Sequence, residues 1–213
     1  MRGFEDRKEY AKGKLDAAFL QDVEGALQSW FAEAKEADPA DYNAMTLSTV
    51  GQDGHPNARV VLLRSLETVD GWPAIAFYTN YQSGKGRELE AHPHAAVTFF
   101  WKELERQLRI RGRVLKMGEE ESDRYFASRP RESRIGAWAS NQSQPVSDRK
   151  EMEAAWNQYE ARFEADVPRP PHWGGFLLCV DAVEFWQGRP GRMHDRLEAL
   201  RRDEEWVVRR LQP

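Results

Sequence analysis

The chain has 213 residues, with 31 Lys and Arg against 35 Asp and Glu for a net charge of −4, which excludes both a polycation that coats nucleic acid and an acidic tail. Hydrophobic residues make up 40% of it, which with 15 glycines is a globular rather than a disordered composition, and the length suits one domain or one with an appendage. A mean hydropathy of −0.77 without an apolar run of about eighteen residues excludes a membrane-spanning helix, charges at Arg2, Glu5, Asp6, Arg7 and Lys8 exclude a secretory signal, and one cysteine, Cys179, excludes a disulfide framework, so the cytoplasm is the expected compartment.

Residues 1–15 are polar and aperiodic and are expected to form a mobile lid segment ahead of a single domain over 16–213. From Asp16 to Ala37, Leu20, Val23, Leu27, Trp30, Phe31 and Ala34 recur at steps of three and four, the period of an amphipathic helix that Pro39 stops. Met45 to Val50 and Ala58 to Leu63 flank Gln52-Asp53-Gly54 and predict a hairpin. Further strands are expected at Ala74 to Thr79, Ala95 to Trp101, Leu108 to Leu115, Gly175 to Val180, Val183 to Trp186 and Trp206 to Leu211. Helices are expected at Gly84 to Ala91, Glu119 to Ser128 and Asp148 to Glu164, the last carrying Met152, Ala155, Trp156, Tyr159 and Phe163 at helical spacing. Strands outnumber helices and lack a βαβ rhythm, so the expected class is mainly β, a β-barrel with peripheral helices. Asp166 to Pro171 reads as a stiff connection between elements.

The motifs of serine hydrolases, zinc proteases and phosphate-loop nucleotidases are absent, and no metal site is expected because the close pair His92 and His94 lacks acidic or cysteine companions. What stands out is arginine at strand ends and helix starts together with many tryptophans, a combination suited to planar anionic ligands. Arg59 and Arg64 bracket Val60-Val61-Leu62-Leu63, fixing both side chains at a barrel end if that strand is central; solvated strand-end charges are the plain alternative. Ser83-Gly84-Lys85-Gly86-Arg87 opens a helix after a strand, where amides, helix dipole and Lys85 can meet a phosphate, or where a loop simply joins a helix. Arg129, Arg131 and Ser133 surround a second helix start, as an anion site or as exposed arginines beside a Ser133 cap. Glu184 to Gly188 leads through a turn to Arg192-Met193-His194-Asp195-Arg196, read as the start of a strand that puts Arg192 and His194 on one side and Asp195 on the other.

These blocks resemble the pyridoxamine 5′-phosphate oxidase family over nearly the whole chain. The motifs are Arg59-Val-Val-Leu-Leu63, Phe77-Tyr-Thr-Asn80, Leu104-Glu-Arg-Gln107, Tyr125-Phe-Ala-Ser-Arg-Pro-Arg131, Ile135-Gly-Ala-Trp138, Gln142-Ser143, His172-Trp-Gly-Gly-Phe176, Glu184-Phe-Trp-Gln-Gly188 and Arg192-Met-His-Asp-Arg196. The resemblance implies an FMN-binding split β-barrel, a homodimer with FMN sites at the subunit interface, and oxidation of pyridoxamine or pyridoxine 5′-phosphate by O2, with neither nucleic acid nor membrane as partner. It implies that Arg59, Lys85, Gln142 and Ser143 hold the FMN phosphate, the last pair available from either subunit. Tyr78, Thr79, Gln107, Trp186 and Arg196 would line the flavin, with Val60, Val61, Leu62, Leu63 and Arg64 passing beside it. For substrate it points to Arg64, Tyr125, Arg129 and Ser133 at the phosphate, Arg192 and His194 at the reacting end, and Arg7 to Tyr10 as a lid. Two positions depart from the family pattern, Arg64 for lysine and Gly84 for arginine, with Arg87 a nearby cation able to compensate. A split-barrel flavin oxidase acting on another substrate, such as a phenazine precursor, and a non-catalytic FMN or pyridoxal phosphate carrier are the alternative functions.

Overall fold

The period that predicts one helix from Asp16 resolves into two pieces, because two aspartates each cap a separate turn. Asp16 accepts from the Ala18 amide at 2.9 Å over a 3-10 turn, Ala17–Leu20, and Asp22 Oδ1 accepts from the Gly25 amide at 2.9 Å to start α1 (Val23–Ala37). The computed structural model describes residues 9–213. After α1 come β1 (Ala44–Val50), β2 (Pro56–Leu62), β3 (Ser65–Val69), β4 (Trp72–Asn80), α2 (Gly84–Ala91), β5 (His94–Trp101) and β6 (Arg106–Lys116). Then follow α3 (Glu119–Ser128), α4 (Arg131–Ala139), α5 (Arg149–Arg162), β7 (Trp173–Gln187), β8 (Asp195–Arg202) and β9 (Glu205–Arg210). Hydrogen-bonded neighbours run β2-β1-β5-β6-β7-β4-β3, with β8 on β7 and β9 on β8, so the mainly β class with peripheral helices is observed.

Three differences from the sequence expectation have physical causes. The runs on either side of Asp181 are one strand, β7, because an exposed aspartate in a period-two pattern interrupts neither ladder nor burial. β3 is additional to the expected strands, and Asp70 (φ 51°) and Gly71 (φ 80°) form the two-residue positive-φ turn that joins it to β4 in the register Val69 to Trp72. β2 lies at one end of the strand order with Val60 68% exposed, so the strand between Arg59 and Arg64 is not central.

The chain divides into two compact units. One takes in the residues up to Leu47 with Ala96–Gly112 and Val180–Pro213, and its core is aromatic: Trp30 meets Phe185 at 4.9 Å edge-on, and Phe31 meets Phe99 at 4.9 Å and Trp101 at 5.3 Å. The other comprises Ser48–Ala95 and Arg113–Cys179, where Phe126, Ile135, Val167 and Trp173 form a cluster backed by α4 and α5. The apolar residues of α5 are less buried than their spacing suggests: Met152 is 53% exposed, and Trp156 and Tyr159 are half-buried. Among the described residues no helix is long and apolar enough to cross a membrane.

Gly86 sets the junction between β4 and α2. A Cβ there would fall within the Tyr81 carbonyl, which is backbone and cannot swing aside. Gly86→Ala is expected to destabilise the fold by about 2 kcal/mol through overpacking, read as a lower urea midpoint at unchanged slope.

Candidate functional site

The second unit builds a cationic corner where β4 hands over to α2. Ser83, fully buried, caps α2 by accepting from the Gly86 amide at 3.3 Å. Lys85 Nζ donates to Thr79 Oγ1 at 3.2 Å, Ser83 Oγ at 3.3 Å and Gln142 Oε1 at 3.1 Å. All three acceptors are neutral oxygens, so these contacts hold the ammonium in place without cancelling its charge. Burial first, then the field of Arg59, push the Lys85 pKa below the ordinary lysine value.

Arg59 is held in turn by an acid. Its Nη1 donates to Thr49 Oγ1 and its Nη2 to Glu88 Oε2 at 2.9 Å, while Asn57 donates to Glu88 Oε1 at 2.7 Å. Burial would raise the Glu88 carboxyl, but hydrogen bonds from Thr49, Arg59 and Asn57 outweigh it and hold the group below the usual carboxylate range. Ser143, at φ 69°, sits beside Gly84: a Cβ on that glycine would lie 3.7 Å from Ser143 Oγ. Gln142 reaches Lys85 within its own chain. Arg87 is exposed and donates to the Gln82 carbonyl.

Beside this corner lies a cavity of about 530 Å³, with Arg64, Tyr78, Thr79, Tyr125, Arg129, Ser133, Gln142 and Trp173 in its wall. Arg129 Nη1 is buried without a hydrogen-bond partner. Its guanidinium lies 4.5 Å from the Trp173 ring centroid and 5.4 Å from that of Phe126, and burial pushes its pKa down. Tyr78 stacks on Tyr125 at 3.8 Å and on Trp173 at 5.5 Å, and Arg64 lies 5.8 Å from the Tyr125 centroid. A buried donor left open costs free energy that an incoming anion would recover. Ser133 is not the cap of α4, since Pro130 holds that position; Arg131 turns away to the carbonyls of Phe163 and Ala165.

The first unit gathers a different set. Trp186 and His194 lie 4.6 Å apart, with Tyr10 edge-on to them at 5.6 and 5.8 Å. The Arg189 amide donates to His194 Nδ1 at 3.1 Å, so the neutral ring carries its proton on Nε2 and offers it as a donor. Arg196 grips Glu184 with two nitrogens, at 2.8 and 3.1 Å, and Arg109 adds a third bond to that carboxylate at 3.0 Å. Arg192 is exposed, at φ 61° in a 3-10 turn (Pro190–Arg192), and β8 begins only at Asp195, so the alternation expected between Arg192 and His194 is not that of a strand. Asp195 turns to the Leu15 amide and to Arg210 instead of His194. Gln107 is half-buried on β6, and Arg7 lies outside the described residues.

The predicted residues therefore fall into two groups, one in each unit. Sequence reasoning missed Glu88, Thr49 and Asn57, which fix Arg59, and Glu184, which fixes Arg196. It also missed the Trp173 platform. Glu184 and Trp173 stand inside motifs quoted above, but their contacts, like those of Glu88 on α2, are made over long sequence separations that local pattern does not record. Among the described residues no group of three or more His, Cys, Asp and Glu side chains is placed to hold a metal ion.

Residues 31–186 match the family described as Pyridoxamine 5′-phosphate oxidase, and residues 173–213 match the Pyridoxine 5′-phosphate oxidase C-terminal dimerisation region. A pyridoxine/pyridoxamine 5′-phosphate oxidase of Paraburkholderia phytofirmans is 48% identical over 210 residues, covering 97% of each chain. Pyridoxine/pyridoxamine 5′-phosphate oxidase 1 of Ralstonia nicotianae is 50% identical over 212 residues, again 97% of each. Among solved structures, PhzG of Burkholderia lata in complex with tetrahydrophenazine-1-carboxylic acid superposes with a TM-score of 0.83 at 28% identity, over 94% of this chain and 98% of that one. A pyridoxamine 5′-phosphate oxidase-related, FMN-binding protein of Nostoc punctiforme shares the fold, with a TM-score of 0.70 at 18% identity over 90% of this chain and 97% of that one.

Proposed function

Since this chain belongs to the pyridoxamine 5′-phosphate oxidase family, with the fold of its FMN-binding split barrels, we propose that it oxidises pyridoxamine 5′-phosphate and pyridoxine 5′-phosphate to pyridoxal 5′-phosphate. Oxygen is the final acceptor and leaves as hydrogen peroxide, and the amine substrate releases ammonia after water adds to the imine. The observation that carries this reading is that Arg129, whose buried Nη1 has no hydrogen-bond partner, and Arg64 line one cavity. Two guanidiniums suit a phosphate dianion, which both can grip with paired N–H donors.

FMN, when bound, supplies a two-electron acceptor that oxygen can reoxidise. The residues present fit its phosphate: Lys85 is held by the neutral oxygens of Thr79, Ser83 and Gln142, Arg59 stands pre-oriented on Glu88, and Ser143 adjoins the α2 start. In this reading Tyr78 and Thr79, together with Gln107, Trp186 and Arg196 of either subunit, border the ring, with the Val60 to Leu63 backbone passing beside it. Tyr125, Ser133, Arg64 and Arg129 take the substrate phosphate. His194, through its Nε2 proton, and Arg192 orient the reacting end and stabilise charge developing there. The proposed assembly is a homodimer, supported by the C-terminal dimerisation match and by an end strand, β2, with Val60 and Leu62 exposed. The proposed compartment is the cytoplasm.

The likeness to PhzG favours one second reading, oxidation of a reduced phenazine carboxylic acid. Anaerobic addition of pyridoxamine 5′-phosphate to the FMN-loaded protein separates the two. Bleaching of the flavin band, recovered in air, is the expected result. A flavin that stays oxidised with this substrate but is reduced by tetrahydrophenazine-1-carboxylic acid gives the second reading, and one reduced by neither leaves a carrier without turnover.

A further inference from the structure

The stretch from Tyr10 to Leu15 is strapped to its own unit by groups that the proposed chemistry does not use. Glu105, 3% exposed and at φ 55°, accepts from the backbone amides of Ala11 at 2.7 Å and Lys12 at 3.0 Å. A buried carboxylate is costly unless hydrogen bonds hold it, and these two amides are part of what does so. The Glu105 carbonyl accepts from the Gly188 amide at 2.8 Å, which places Gly188 against the same stretch. A Cβ on Gly188 would lie 2.6 to 2.8 Å from Cγ, Cβ and Cδ1 of Tyr10, so the tyrosine rests on bare backbone. Gly13 makes the matching approach on the other side, where a Cβ would meet Gln187 Oε1 at 2.7 Å. Arg189 closes the strap by donating to the Gly13 carbonyl at 2.7 Å.

We propose that Glu105 and Gly188 are positioning residues that dock the N-terminal stretch and thereby set Tyr10 against Trp186 and His194. Glu105 supplies the charge that holds the backbone, and Gly188 supplies the space that receives the ring. The consequence for substrate rests on the oxidase reading, because Tyr10 matters to turnover only if Trp186 and His194 do. The docking itself does not depend on it.

Trypsin tests the docking directly, since Lys12 and Lys14 lie inside the strapped stretch and cleavage there requires it to lift. Glu105→Gln keeps the shape and removes the charge, and is expected to speed cleavage at both lysines about tenfold or more in the native, FMN-loaded protein. Gly188→Ala is expected to do the same, and to add nothing in a Tyr10→Ala background, where its new methyl finds no ring to displace. Both variants are expected to raise KM for pyridoxamine 5′-phosphate while flavin occupancy stays unchanged. Wild-type cleavage rates in both variants, or additive effects of Gly188→Ala and Tyr10→Ala, would overturn the proposal. If either variant fails to fold, hydrogen exchange in the wild type decides. The Ala11 and Lys12 amides are expected to exchange at least about a hundredfold more slowly than in a free chain, and free-chain rates would sink the idea. Neither proteolysis nor exchange involves substrate, so failure here is distinguishable from failure of the oxidase reading, which flavin bleaching decides.

Discussion

Replacing Arg129 by alanine is expected to raise KM for pyridoxamine 5′-phosphate by about two to four orders of magnitude while leaving FMN bound. Each charge-assisted hydrogen bond lost costs about 1.5–3 kcal/mol, and a guanidinium that grips phosphate with two nitrogens loses two of them. The surroundings make the loss large. Arg129 sits against the Trp173 and Phe126 rings with Nη1 out of solvent, where charges interact more strongly than in water. Its burial-lowered pKa leaves an arginine charged at any working pH, so the effect should not fade between neutral and mildly alkaline conditions. Two controls separate binding from folding. Pyridoxamine without its phosphate should be handled alike by both proteins, and the flavin spectrum should be unchanged. An unaltered KM for the phosphorylated substrate would remove Arg129 from the substrate site and take the main support of the proposed function with it.

Arg129 also shows how much of the site could be read in advance. Its place beside a helix start after Tyr125-Phe126 was visible in the sequence, but its open Nη1 was not, because that depends on how Trp173, about forty residues later, packs against it. Arg131, equally prominent in sequence, spends its donors on the carbonyls of Phe163 and Ala165. Local pattern cannot tell these two arginines apart, since the difference is made by long-range contacts. Elements with strong local signals fared better: the expected bounds of α2 and α3 match, because a serine cap and a glycine-rich start mark the first and an acidic first turn marks the second. The strand between Arg59 and Arg64 was found, but its place in the sheet was not, because apolar alternation records which residues avoid water and not which neighbour covers them. Val60 and Leu62 are exposed at the end of the strand order, where a second copy is the cover that the homodimer proposal supplies. The Asp70-Gly71 turn that joins β3 to β4 is a signal the sequence carries.

Lys85→Ala is expected to weaken FMN binding about a hundredfold, measured by flavin fluorescence on titration, with riboflavin much less affected because it has no phosphate. One charge-assisted contact of about 3 kcal/mol suffices for a change of that size. Lys85 is the residue to test because its ammonium touches only neutral oxygens at Thr79, Ser83 and Gln142, whereas Arg59 already shares its charge with Glu88 at 2.9 Å. With Gly84 contributing no cation, little else at the α2 start can replace it. The pH dependence follows from the same geometry. In the free protein, burial and Arg59 lower the Lys85 pKa, and a phosphate dianion beside it raises that pKa again, so binding takes up a proton once the pH passes the lowered value. FMN affinity should therefore hold on the neutral side and fall as pH rises through the lowered Lys85 pKa. A separate acid-side loss is expected as the phosphate itself protonates near its second pKa of about 6. Lys85→Ala should abolish the alkaline fall and leave the acidic one in place. An alkaline fall that survives the substitution would assign that titration to another group and leave Lys85 a structural neighbour of the site rather than its charge.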